Sequence, residues 1–350
     1  MRRILYKDLL SFSKKLLLSV GLDKFSARSV SNGLCEASLR GVDSHGINLL
    51  PHYVNSAIKG RKNPKPHFVF NSVFQSFGVL DADHAFGHAA GEKSIDLAIP
   101  IAKKYGVSMI AVKNSTHPGA LASFTLKAAR KGYAAFAFTH SDSLMLSANS
   151  KEKYFGTNPI SFSCPREGSE EPYCLDMATT IISWNKLLNT KKENAKLNGK
   201  FASNKRGQPT NDPKVASSLM PIGDYKGFGL ASMIEILCGV LTGMSFGKSI
   251  PPMFDYPINK KRFLGQFYIV FRIDAALSKK NFTNRMKIMT KEVRKLKPIR
   301  KNIRVKLPND PEIQNSKYRI KKGIPLDDDL FKKLSNIANK YNLNKKLINE

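Results

Sequence analysis

The sequence predicts an α/β fold in which a mixed sheet occupies the middle of the chain, between helical N- and C-terminal segments. Three observations carry that expectation. Apolar residues recur at helical spacing over residues 9–58. From Phe68 onward, runs of strand character alternate with helical ones through short connections, the pattern of a sheet with helices packed on it. Helical spacing then returns near the C-terminus. With 350 residues there is chain enough for about two domains and a large core. The divisions that follow are 1–66, a helical segment; 67–275, a central α/β region; and 276–350, a second helical segment.

In the first segment Leu9, Phe12, Leu16 and Leu17 share one helical face, and Phe25, Val30, Leu34 and Ala37 share another after a loop. A third helix places Ile47, Leu50, Tyr53, Val54 and Ile58 on one side. His45 therefore stands at or just before its start, where unpaired backbone N–H groups favour an anion. The basic, proline-bearing stretch 59–66 closes the segment. The central region reads as strands over 68–73 and 76–80, a helix over 89–104, a strand over 107–112 and a helix over 119–131. Strands over 133–139, 160–164 and 173–176 follow. Such short strand–helix–strand connections imply a partly parallel sheet. Residues 188–211 are polar, rich in lysine and asparagine and without apolar period, so they read as an exposed loop. A helix over 226–241 and a strand over 263–271 complete the region. In the last segment one helix carries Phe282, Met286, Met289, Val293 and Leu296. Another begins near Asp327 with Leu330, Leu334, Ile337 and Tyr341 inward.

Charge is the unusual feature of the composition: 57 Lys and Arg against 27 Asp and Glu, a formal net charge of +30. Clustered cations that neutralise phosphates are the main source of nucleic-acid affinity. Here they are scattered along the chain and thickest in its last third, so nucleic acid is not the expected partner. Four cysteines, Cys35, Cys164, Cys174 and Cys238, stand far apart with no Cys-x-x-Cys pair, which predicts buried free thiols in a reducing compartment. The start is basic and then apolar, but Lys14 and Lys15 interrupt the run, so it reads as an amphipathic helix rather than a signal peptide. No other apolar run approaches the length of a membrane span, and a cytoplasmic location follows.

Five islands dense in glycine and short polar residues punctuate the chain: Asp43-Ser44-His45-Gly46; Asn114-Ser115-Thr116-His117-Pro118-Gly119; Gly156-Thr157-Asn158-Pro159; Asp176-Met177-Ala178-Thr179; and Gly223-Asp224-Tyr225-Lys226-Gly227-Phe228-Gly229. Residues this small leave room beside an imidazole for something that is not protein. Imidazole is the side chain whose ordinary pKa lies near neutrality, and exchange between an alcohol and a carbonyl needs such a proton carrier. His45 and His117 are therefore the candidate catalytic residues; His52, His67 and His84 read as structural, with His88 and His140 open. A zinc site would need a third ligand, and no His-x-x-x-His or His-Glu pair involves either candidate, so no metal is expected. Gly-x-Ser-x-Gly is absent, which argues against a serine hydrolase. A nucleotide-binding Gly-x-Gly-x-x-Gly fingerprint is also absent, because Gly227-Phe228-Gly229 lacks the third glycine and follows no clear strand. Lys226, at a helix start, fits beside an anionic partner. Asp176, at a strand end, either caps the next helix or accepts hydrogen bonds from ribose hydroxyls.

In register, the motifs Arg40-Gly41-Val42-Asp43-Ser44-His45-Gly46, Asn114-Ser115-Thr116-His117, Gly156-Thr157-Asn158-Pro159-Ile160, Leu175-Asp176-Met177-Ala178-Thr179, Gly207-Gln208-Pro209-Thr210, Tyr225-Lys226-Gly227-Phe228-Gly229-Leu230 and Gly323-Ile324-Pro325 resemble the type-2 malate/L-lactate dehydrogenase family. The family includes ureidoglycolate and sulfolactate dehydrogenases and diketogulonate reductase, and the resemblance runs from about Asp23 to Lys332. It implies a non-Rossmann dinucleotide-binding fold and an oxidoreductase that uses NAD or NADP on a small 2-hydroxy or 2-keto acid. It implies proton transfer by His117 or His45, and substrate contacts from Ser44, Asn48 and Tyr53. Ser141, Asp176, Met177, Ala178 and Lys226 would contact the cofactor, in a homodimer with the site near the subunit boundary.

Several positions depart from the family pattern. Many members carry an arginine four residues after the first histidine, suited to a bidentate grip on a carboxylate; this chain has Leu49. Pro118 replaces a common aromatic, Gln266 stands where a histidine is frequent, the stretch 188–206 lacks a tryptophan-bearing element, and Asn309-Asp310-Pro311 alters a glycine-bearing turn. These departures keep open a second reading, a member that has lost catalysis and serves as a binding or assembly protein.

Overall fold

The protein is described by a computed structural model over residues 2–343; Met1 and 344–350, the outer ends of the two terminal segments, lie outside the described residues. A short strand β1 (Arg2–Ile4) leads into α1 (Tyr6–Ser19), α2 (Lys24–Leu39) and α3 (Leu50–Ile58). Asp23 caps α2, its carboxylate accepting from the amide of Ser26 at 2.8 Å. The apolar faces read from spacing are buried in α1 and α2, Phe25 only in part; Ile58 at the end of α3 is exposed. The expected third helix starts later than its apolar spacing suggests. Residues Asp43–His45 and Ile47–Leu49 form two 3-10 turns first, so His45 lies in a turn of its own and not at a helix start.

The central region runs β2 (Val69–Phe74), β3 (Phe77–Asp81), α4 (Gly87–Tyr105), β4 (Val107–Ser115), α5 (Ala122–Arg130), β5 (Tyr133–Thr139), β6 (Ile160–Cys164) and β7 (Tyr173–Met177). Next come α6 (Trp184–Lys192), three two-residue strands β8 (Ala202–Ser203), β9 (Pro209–Thr210) and β10 (Ser218–Leu219), then α7 (Tyr225–Glu235), which continues as a π-helical turn over Ile236–Val240. Strand β11 (Leu264–Arg272) precedes α8 (Lys279–Lys295), α9 (Asp310–Lys322), β12 (Ile324–Leu326) and α10 (Asp328–Lys340). Seven strands form one mixed sheet in the order β2-β3-β4-β11-β5-β6-β7. Only β3 and β4 run parallel; every other neighbour is antiparallel, so the sheet is less parallel than the connections imply.

Strand β11 is inserted between β4 and β5, which places Gln266 beside Val112 on one side and Thr139 on the other. Its aromatic and β-branched residues suit such a central position. One face of the sheet packs on α4 and α5 through Leu80, Ile110, Val112, Phe124, Tyr268 and their neighbours. The other face meets Ile234 and Cys238 of the α7 region. A separate core joins α1, α2 and α3 to Leu330, Leu334 and Ala338 of α10, so the two ends of the chain share one interior. Strands β1 and β12 pair antiparallel within it.

Residues 188–211 are mostly exposed, as expected, but they are not without structure. Helix α6 extends to Lys192, β8 and β9 pair, and Leu187, Leu197, Ala202 and Leu219 bury themselves in a small satellite core. That core is too short and irregular in sequence to show a period. Of the apolar residues placed on this helix, Met289 is exposed on α8 and Leu296 is exposed at its C-cap, and the helix buries only Thr290 fully. The four cysteines are free and buried. Among the described residues no helix is long and apolar enough to cross a membrane, and no cluster of three His, Cys, Asp or Glu is placed to hold a metal ion.

Candidate active site

The loop after β4 carries His117, and its shape is set by close packing. Gly87 opens α4 directly beneath it: a Cβ there would lie 2.2 Å from the carbonyl oxygen of Thr116. Thr116 Oγ1 accepts from the Gly87 amide at 3.0 Å and donates to the Ala85 carbonyl at 2.9 Å. Gln266 reaches across from β11, its Nε2 donating to Ser115 Oγ at 2.6 Å and to the carbonyls of Gly87 and Thr116 at 3.3 Å. The turn that carries His45 rests instead on α2. Gly46 crosses Ser38 so closely that a Cβ would lie 2.1 Å from its Oγ, and that hydroxyl accepts from the Ile47 amide at 2.9 Å.

These two turns bring the imidazoles together, with ring centroids 5.6 Å apart and planes 26° from parallel. Both rings line a cavity of about 410 Å³, together with Leu49, Ser141, Trp184, Asn185 and Arg262. Tyr53, fully buried on α3, places its hydroxyl 2.8 Å from His117 Nδ1 and 3.3 Å from the His117 carbonyl oxygen. When the phenol donates to that carbonyl, Nδ1–H donates to the phenol oxygen, and Nε2 keeps its lone pair for the cavity. Ser44 Oγ stands 2.9 Å from His45 Nδ1 in the same manner. Burial pushes His45 down to about 4 and drives His117 well below the usual imidazole value, with the charges of His45, Lys62, His88 and Arg262 adding to the effect on His117. Both rings are neutral at neutral pH. Burial pushes the Tyr53 hydroxyl upward, so it stays protonated.

Ser141 lines the same cavity after β5. The Gly156 island is its mould: a Cβ at Gly156 would meet Ser141 Oγ at 2.2 Å, and the Thr157 amide donates to that oxygen at 3.2 Å. Asn158, with φ of 27°, is held by Nδ2 bonds to the Ala231 carbonyl at 2.9 Å and Glu235 at 2.7 Å. Asp176 opens into a second cavity of about 420 Å³, bounded also by Arg40, Ala122, Pro308 and Asn309. Its Oδ2 accepts from the Ala122 amide at 2.8 Å. The surrounding wall pushes its carboxyl upward, while that amide and Arg40 pull it back. Three residues on, the Thr179 amide donates at 2.9 Å to the carbonyl of Thr157, which lines the first cavity.

The structure gathers His45, His117 and Ser141 on one cavity, with Ser44 and Tyr53 immediately behind the two rings. Asn48 is exposed, does not line that cavity and makes no hydrogen bond among the described residues. Met177 and Ala178 are half-buried at the end of β7, and Lys226 is exposed on the first turn of α7, outside both cavities. Sequence reasoning missed Arg262, Lys62 and Trp184. The two cations sit in basic stretches, Arg61-Lys62 and Lys260-Lys261-Arg262, that look like any solvated face of so basic a chain, and no spacing marks them.

Two neutral imidazoles on one cavity, one of them tied to a buried tyrosine, suit an enzyme that moves a proton to or from a small oxygenated substrate. The chain belongs to the malate/L-lactate dehydrogenase family, whose sequence model matches residues 4–335. It is 32% identical over 319 residues to ureidoglycolate dehydrogenase (NAD(+)) of Escherichia coli K12, covering 91% of this chain and 90% of that one. It is 30% identical to malate dehydrogenase of Pyrococcus abyssi, covering 96% and 94% respectively. Among solved structures, malate dehydrogenase from Entamoeba histolytica superposes with a TM-score of 0.92 at 27% identity, covering 98% of this chain and 99% of that one. The expected family is borne out.

Proposed function

We propose that this chain is an NAD(P)-dependent oxidoreductase that transfers a hydride between the nicotinamide and a small 2-hydroxy or 2-keto acid. One observation carries the reading: His117 lines the cavity while Tyr53 engages its Nδ1, which leaves Nε2 as the nitrogen for the substrate. In the oxidising direction His117 Nε2 takes the hydroxyl proton as the hydride leaves the same carbon; in reduction the proton returns to the carbonyl oxygen. His45 stacks alongside and holds or polarises that oxygen, with Ser44 orienting its ring. The group that accepts or gives the hydride is the nicotinamide, and the residues present fit its carrier. Asp176 offers its carboxylate to a ribose hydroxyl in the second cavity, and Ser141 lines the first beside His117. With no glycine fingerprint and one parallel strand pair in the sheet, this is a non-Rossmann mode of binding, set between helical terminal segments and a central α/β region.

The other reading, a member without catalysis, finds no support in the site, since the His45–His117–Tyr53 arrangement is complete. A homodimer is favoured by an apolar stripe on α7 and its π-helical extension, where Leu230, Met233, Ile236, Val240 and Leu241 are all exposed at helical spacing. Four free buried thiols accord with the cytoplasm.

The test mixes purified protein with NADH or NADPH and a panel of 2-keto acids and follows loss of the reduced nicotinamide. Turnover of at least one acid is expected, with sedimentation at twice the chain mass. His117→Asn is expected to lose on the order of 100- to 10,000-fold in kcat while still binding dinucleotide. If the wild type binds neither dinucleotide, the reading fails.

A further inference from the structure

Arg262 is 4% exposed just before β11, yet it lines both the large cavity and a small pocket of about 10 Å³ behind His117. Two of its nitrogens are spent: Nε donates to the Pro251 carbonyl at 2.7 Å, and Nη2 donates to the Asp142 carboxylate. Nη1, with two N–H donors in the plane of the guanidinium, has no hydrogen-bond partner among the described residues. The two bonds that are made fix the direction of the one that is not.

Lys62 stands in the same wall. It is 3% exposed, its Nζ lies 3.3 Å from the centre of the Tyr53 ring, and among the described residues no hydrogen-bond partner reaches it. It lines the small pocket together with His117, Thr116 and Arg262. The third cation there, Arg61, is consumed by the carbonyls of Met253, Tyr256 and Pro257 at 2.7–2.9 Å. Against these cations the buried wall holds one carboxylate, Asp142; Asp255 is exposed at the cavity rim. Buried cations without counter-charge are unfavourable, and burial together with the other cations pushes both Lys62 and Arg262 downward. Such a wall is short of one anion, and the shortage faces the reacting imidazole.

We propose that Arg262, backed by Lys62, holds the carboxylate of the substrate, supplying the grip that Leu49 cannot give. Arg262 Nη1 donates to a carboxylate oxygen, and the adjacent oxygen-bearing carbon is thereby set against His117, which lines the same two spaces. Arg262 is a binding and specificity residue; Lys62 is a positioning residue behind Tyr53, whose ammonium form the bound carboxylate would favour. The inference rests on reading the chain as a 2-hydroxy-acid dehydrogenase.

The experiment uses the full chain, the reduced dinucleotide it binds, a 2-keto acid it turns over, and the methyl ester of that acid, which lacks the carboxylate. Arg262→Gln is expected to raise KM for the acid at least about 30-fold. It is expected to leave the dissociation constant of the dinucleotide unchanged and the turnover of the ester nearly so. Adding Leu49→Arg to Arg262→Gln returns a guanidinium to the same cavity, and partial recovery of kcat/KM for the acid is expected, which a merely structural loss would not show. Lys62→Met keeps the packing on Tyr53 and is expected to raise KM several-fold with kcat retained. Should the glutamine variant fail to fold, Arg262→Lys takes its place, with the same split between acid and ester. An acid KM within twofold of wild type, or equal losses for acid and ester, overturns the proposal. A wild type that binds no dinucleotide overturns the underlying reading instead.

Discussion

The turn carrying His117 and the turn carrying His45 face one cavity, yet different parts of the chain hold them. The first is tied from inside the sheet: Gln266, Ser115, Thr116 and the Tyr268 hydroxyl, which donates to Gln266 Oε1, form a fully buried network. The second is tied from outside. Arg319 on α9 grips Asp43 through both carboxylate oxygens at 2.6 and 2.9 Å, and Asn185 on α6 donates to the Ser44 carbonyl at 3.0 Å. The Asp43 side chain is 41% exposed. A buried network loses the full desolvation of each group it orphans, whereas a water-accessible ion pair contributes little. One wall of the site is therefore a fixed reference, and the other is adjustable from segments far away in sequence.

Removing the anchor of the fixed wall is expected to have the largest effect. Gln266→Leu leaves Ser115 Oγ, two carbonyls and the Tyr268 hydroxyl without their partner in the interior, a loss of about 2–4 kcal/mol of stability. Calorimetric melting should show it, and kcat should fall with it as His117 loses its register. Gln266→His, which keeps a ring N–H donor in the network, should recover part of both. A leucine variant that melts like the wild type would show that the sheet does not hold this turn.

Arg319→Ala is expected to do less. Its pair with Asp43 is partly open to water, so about 1 kcal/mol is at stake, or about 5-fold in substrate KM through a looser His45, with little change in melting temperature. Steady-state kinetics at low and high salt should separate this from the glutamine variant, because screening weakens the Arg319–Asp43 pair and leaves the buried network untouched.

The same contrast explains what the sequence discloses. Strands such as 133–139 and 160–164 are legible to the residue because aromatic and small residues alternate between clear breakers. The glycine and hydroxyl islands mark both histidine turns, since Gly46, which crosses Ser38, and Gly119, which packs on the His88 ring, leave no room for a Cβ. What lies far off in sequence is hidden. Helix α9 buries no residue completely, so it has no apolar face to show a period, though its Arg319 braces the site. The place of β11 between β4 and β5 is a matter of topology that no local pattern encodes. Arg262 and Lys62 vanish among 57 basic residues. Even the Gly156 island holds a surprise: its asparagine is a brace for the Ser141 loop, bound to α7, and only Thr157 reaches the cavity.

His88 lies on the seam between the two walls. A Cβ at Gly33 on α2 would meet its Cδ2 at 2.1 Å, and one at Gly119, beyond His117, would meet its Nε2 at 2.4 Å. Neither ring nitrogen has a hydrogen-bond partner. Burial, with the charges of Lys62 and His45, pushes it down to about 3. In the unfolded chain an imidazole titrates near 6.5, so between those values the unfolded state holds a proton that the native state refuses. Stability from this group is complete above about 6.5 and drains as pH falls toward about 3, by at most about 1.4 kcal/mol per pH unit. His45 and His52, also lowered, add to the same slope. At neutral pH His88→Leu is expected to change stability by less than about 1 kcal/mol, the smallest effect considered. Below about pH 6 its stability should decline less steeply than that of the wild type, because one titrating group is gone. Denaturant melts across that range measure the slope directly, and parallel slopes for the two proteins would place the acid sensitivity in one of the walls rather than in the seam that joins them.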